Sequence, residues 1–147
     1  VAWKTKKNVK KKPRVLKKAV IKPFNHGTMT TAAFFGMIRS SLRQKSRWWV
    51  PIAEAKKLAR RKFTGLNKRQ RWEYQCNHCK KWYKDDDVAV DHIIEAGSLN
   101  KFEDLAGFAQ RLFCEVDGFQ VLCNECHNIK TNEYKQRIKD EKQLAEH

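Results

Sequence analysis

Leu122-Cys123-Asn124-Glu125-Cys126-His127-Asn128-Ile129-Lys130-Thr131 closes a unit that Cys76-Asn77-His78-Cys79 opens, with Val90-Asp91-His92-Ile93 between them. A Cys-x-x-Cys pair offers two thiolates to one edge of a tetrahedron. Two such pairs tens of residues apart predict a structural Zn²⁺ site built by Cys76, Cys79, Cys123 and Cys126. The residues framed by the pairs are of another kind. Asp91, His92 and His127 supply a carboxylate and two imidazoles, groups that hold a hard divalent cation and take a proton from water.

Over residues 74–136 the pattern resembles the HNH endonuclease family, in the zinc-stapled form common among phage and mobile-element nucleases. The resemblance implies an α+β fold with a ββα-metal core and a metal-dependent DNA endonuclease activity. By position, Asp91 corresponds to the metal-binding carboxylate and His92 to the general base. His127 corresponds to the metal-ligating last histidine, and Lys130-Thr131 to the Lys-Thr that follows it. Asp91 and His127 would hold Mg²⁺ or Mn²⁺, with substrate phosphate and water completing the shell. An imidazole ligand also suits Ni²⁺ or Zn²⁺. Lys130 lies three residues after His127 and so shares its helix face, within reach of the same phosphate. The family's middle Asn is replaced by Gly118, five residues before Cys123. Asp117-Gly118 predicts a type I′ turn that closes the hairpin by backbone geometry instead.

Outward from this unit the chain divides by composition. Residues 1–25 read as a disordered polybasic tail, 26–72 as a basic helical DNA-binding region, 73–140 as the nuclease domain and 141–147 as a C-terminal tail. Phe34, Ile38 and Leu42 recur at helical spacing in a helix over 30–47, capped by Thr30 or Thr31. Arg39, Arg43 and Arg47 follow one residue on as a basic stripe. Pro51 suits the first turn of a second helix over 52–62, with Lys56, Lys57, Arg60 and Arg61 off its apolar face. Val88-Ala89-Val90 predicts a strand ending at Asp91-His92. Leu105, Phe108, Ala109, Leu112 and Phe113 predict an inserted amphipathic helix, residues 119–122 the second strand and residues 124–139 the last helix. Trp48, Trp49, Trp72 and Trp82 read as core rather than as base-stacking platforms. His78 reads as a solvent-facing knuckle residue, Cys114 as a buried thiol and Asp85-Asp86-Asp87 as a turn. Cys123 to His127 also spells a c-type haem attachment motif, which would leave Cys76 and Cys79 without a purpose.

Charge narrows the partner to a polyanion. Residues 1–72 hold 22 of the 32 Lys and Arg and one acid, Glu54; residues 73–147 hold 10 basic and 15 acidic residues. A half of net +21 joined to a half of net −5 fits a nucleic-acid partner bound through its phosphates. Charge alone leaves DNA, RNA and an anionic membrane open. The family resemblance selects duplex DNA, with a monomer or weak dimer that nicks. No apolar run has the length of a membrane span or a signal-peptide core. The expected setting is the reducing cytoplasm of a bacterial or phage-infected cell, where cysteines bind metal rather than pair. A catalytically silent zinc-containing DNA-binding adaptor and an RNA-directed protein are the competing readings.

Overall fold

The computed structural model describes residues 19–146, so residues 1–18 of the expected disordered tail lie outside the described residues, whereas Phe24, also assigned to that tail, bridges to Met29 and stacks on Phe34 at 4.1 Å. Helix α1 (Thr31–Ser46) starts where the sequence places it, with the Thr30 hydroxyl accepting the Ala33 N–H at 3.2 Å. Helix α2 (Val50–Leu58) carries Pro51 in its first turn, where the missing N–H leaves no helical bond unmade. Contrary to the expected helix over 52–62, α2 stops at Leu58. Residues Arg60–Lys62 form strand β1, antiparallel to β2 (Trp72–Gln75), and β2 pairs with β3 (Trp82–Tyr83). The cause is tertiary. Arg60 lies 4.0 Å over the Trp72 ring, Arg61 lies 3.8 Å over Trp82, and Arg61 Nε donates to Glu73 at 2.6 Å. Cation–π contacts and strand pairing reward an extended backbone that helical spacing does not anticipate.

A second antiparallel pair, β4 (Val88–His92) and β5 (Phe119–Cys123), sets Asp91 opposite Gln120 and His92 opposite Phe119. Between them the chain makes helix α3 (Leu105–Leu112), and after them comes α4 (Asn124–Ala145). Helix α4 runs through residues 141–145, expected as tail, because nothing in that charged run breaks it.

Three clusters of buried side chains hold these elements. Phe35 of α1, flanked by Phe34, Ile38 and Leu42, packs on Ala96, Leu99, Phe108 and Leu112. Tyr74, Val88 and Val121 join the two sheets, and Cys76, Leu122 and Cys123 form the third group. The basic N-terminal helix is thus seated on the insertion between β4 and β5. Asp85–Asp87 is a tight 3-10 turn, as expected, and Asp85 pairs with Lys56 at 2.7 Å. That ammonium holds the Asp85 carboxyl below its usual range.

Two sequence expectations are corrected here. Trp49 is partly buried, donating its indole N–H to the Cys114 carbonyl at 2.7 Å, but Trp48 points outward and is 85% exposed. Trp72 and Trp82 are half-buried beneath their arginines. Asp117-Gly118 is no type I′ turn, because neither residue has the positive φ that turn needs. Val116–Gly118 is a 3-10 turn ending a long excursion from β4. Gly118 serves by lacking a side chain, since a Cβ there would sit 2.5 Å from Cys114 Sγ. Its carbonyl accepts the Ile93 N–H at 2.9 Å and extends the pairing beyond His92. Gly118→Asn is therefore expected to cost about 1–3 kcal/mol by overpacking. Urea denaturation should show a lowered midpoint at unchanged slope. An Asn variant as stable as the parent would remove this steric account.

Candidate functional site

Two side-chain groups flank the β4–β5 pair. The first is the cysteine cluster. Cys76 ends its strand into a knuckle in which Lys80 takes φ 61° and donates its N–H to the Cys76 carbonyl at 2.9 Å. The Asn77 N–H donates to the Val121 carbonyl at 2.7 Å, fastening the knuckle to β5. Cys123 ends β5 and caps α4, its Sγ accepting the Cys126 N–H at 3.5 Å. Strand pairing and the helix cap thereby bring together two thiol pairs at least 44 residues apart in sequence, with all four sulfurs within 4.8 Å of one another. None is disulfide-bonded. The cluster has the geometry to hold a metal ion.

Its electrostatics point the same way. Burial pushes the Cys76 and Cys123 thiols up, but surrounding amide N–H groups and neighbouring side chains outweigh it and lower both. The Tyr83 hydroxyl, 3.3 Å from Cys79 Sγ, leads the lowering of Cys79. The thiol of Cys126 is pushed up to about 12, first by its hydrogen bond to the Cys123 side chain and then by burial. Several thiolates in one small volume repel one another unless a cation neutralises them. His78 is exposed, as expected, with Nδ1 3.5 Å from Cys126 Sγ. Cys114, expected as a buried thiol, lies past the end of α3 and is only half-buried; it stands outside the cluster, and burial raises its thiol pKa.

The second group sets Asp91, near the end of β4, against His127 and Lys130 from the start of α4, while the ring of the next residue, His92, turns toward Leu112 and Phe119. Asp91 Oδ1 faces His127 Nε2 at 3.8 Å, and Asp91 Oδ2 accepts from Lys130 Nζ at 2.6 Å. The pair brings one carboxylate oxygen and one imidazole nitrogen to face each other from two elements. The expectation that Lys130 reaches the substrate phosphate meets a different placement. Its ammonium is surrounded by Asp91 and by the carbonyls of His92 and Ile93, and three acceptors leave it no free direction. His92 Nε2 lies 3.0 Å from the Leu112 carbonyl, and its ring rests on Phe119 at 4.7 Å. A carbonyl only accepts, so Nε2 carries the proton and Nδ1 keeps its lone pair.

A pocket of about 200 Å³ opens here, lined by Arg43, Asp91, His92, Glu95, Ala96, Gly97 and Tyr134. The sequence did not single out Glu95, which lies 3.7 Å from both Lys130 and Arg137, or Tyr134. The Leu112 carbonyl is a backbone group with no sequence signature at all. Of the seven cations expected to bind nucleic acid, only Arg43 lines this pocket. Lys56, Arg60 and Arg61 are engaged with Asp85, Trp72 and Trp82, while Arg47 and Lys57 are exposed and Arg39 is half-buried. No described helix is long and apolar enough to cross a membrane.

Comparison with known proteins gives no match, whether with family models, curated proteins or solved structures.

Proposed function

We propose that the protein is a metal-dependent DNA endonuclease of the zinc-stapled HNH type, hydrolysing phosphodiester bonds and nicking duplex DNA. The observation supporting this reading is Asp91 facing His127 at 3.8 Å, with His92 lining the same pocket as Asp91, in a fold that also clusters four cysteines. The resemblance rests on the same residues. Zinc in the cysteine cluster would be structural, pinning the knuckle and the start of α4 so that the catalytic groups keep their spacing.

At the second site, His92 is the general base. The Leu112 carbonyl fixes its tautomer, leaving Nδ1 to take the proton from the attacking water. The imidazolium so formed donates a stronger, charge-assisted bond to the same carbonyl. Asp91 Oδ1 and His127 Nε2 would hold Mg²⁺ or Mn²⁺, which supplies Lewis-acid relief of charge at the phosphate and leaving oxygen. Lys130 is a positioning residue, fixing the Asp91 carboxylate and the end of β4. Arg43 brings a cation to the pocket wall for the substrate phosphate. One such unit makes one cut per visit, so a nick is the expected product.

Gly118 fits closely against Cys114, and the silent zinc-containing adaptor is the second reading. Plasmid relaxation tests the proposal directly. Supercoiled DNA should become open-circle with Mg²⁺ or Mn²⁺ and stay intact in EDTA. Tight binding without cleavage under every metal would instead establish the adaptor, and preference for RNA would move the substrate class.

A further inference from the structure

The β1–β2 hairpin, not a helix, carries the densest run of cations among the described residues. Between residues 60 and 71 stand Arg60, Arg61, Lys62, Lys68, Arg69 and Arg71, with no acid among them. The first two are committed to tryptophan rings at the base of the sheet. The other four are exposed, and among the described residues none is ion-paired. A solvated loop would ordinarily mix its charges, because like charges at close range repel.

The tip is built rather than loose. The Phe63 N–H donates to the Arg71 carbonyl at 3.0 Å, carrying the pairing past Lys62. Asn67 turns the chain, accepting the Gln70 N–H on its carbonyl at 3.1 Å and the Arg69 N–H on its side chain at 3.2 Å. The Phe63 ring folds over Gly65, close enough that a Cβ there would lie 2.2 Å from the tip of the ring. This bracing presents Leu66 at the apex, 101% exposed. An ordered apolar tip between flanking cations complements two phosphate rails with base edges between them.

We propose that this hairpin is a duplex-DNA arm, with Lys62, Lys68, Arg69 and Arg71 on the phosphates and Leu66 wedged into the minor groove. Apolar wedges of this kind unstack a base step and bend the duplex, in return for more wrapped surface. The arm rests on the DNA reading above, but its site is separate from the catalytic pocket.

The test uses a short duplex with donor and acceptor dyes at its ends, in buffer without Mg²⁺ or Mn²⁺ so that no cutting occurs. Lys68→Glu/Arg69→Glu should weaken affinity by about tenfold or more and flatten its salt dependence. Leu66→Ala should keep affinity within about threefold while losing the bend reported by energy transfer. Both variants should melt with the parent, since the changed side chains are exposed. Variants that bind and bend duplex like a nicking-competent parent would remove the arm and leave the nuclease reading intact. A parent that binds no duplex would overturn both.

Discussion

His92→Ala protein is expected to keep its fold, its zinc and its grip on DNA while nicking falls by about 10²–10⁴-fold, the usual contribution of a general base. The substitution removes a ring that is oriented by the Leu112 backbone carbonyl, the feature that suits His92 to the proposed role of base. Its structural cost is small: one hydrogen bond to Leu112, about 1 kcal/mol, and the contact with Phe119. Single-turnover nicking beside a thermal melt and a zinc assay separates the two effects. A variant that nicks like the parent would place the base elsewhere. One that loses zinc or unfolds would give His92 a structural role.

Cys76→Ser should abolish folding of the unit outright. Cys76 is fully buried between Leu122 and Cys123, and on the proposed zinc reading a serine hydroxyl there replaces a thiolate with a group that zinc binds far more weakly. A structural zinc contributes on the order of 10 kcal/mol to folding. Net stability of a domain is only about 5–15 kcal/mol, so one lost ligand removes most of it. Circular dichroism and metal content should show an unfolded, zinc-free chain, and strong chelation of the parent should have the same result. Cys114→Ser is the matched control, since its thiol lies outside the cluster and should leave zinc content unchanged. A Cys76→Ser protein melting with the parent would show that the cluster does not staple the fold.

Local signals were legible in the sequence because each is a short-range rule. The Thr30 cap, Pro51 in the first turn of α2 and the apolar spacing of α1 and α3 need only neighbouring residues to be recognised. Strand β1 was missed because its reasons lie across the sheet, in Glu73, Trp72 and Trp82. The extent of α4 was underestimated because a charged, amphipathically weak run offers no stop signal in either direction.

By itself, then, the sequence determined which side chains are on offer: four thiols in two short-spaced pairs that the fold gathers, and the carboxylate and imidazoles of the proposed active site. Ligand type and spacing are properties of the covalent chain. Tertiary structure alone decided what those atoms face. It set the Leu112 carbonyl against His92, turned Lys130 inward onto Asp91, brought Arg43 from α1 to the pocket wall and made Gly118 obligatory beside Cys114. Tautomer, ion pairing and steric room depend on groups distant in sequence, several of them backbone, and only packing brings those groups together.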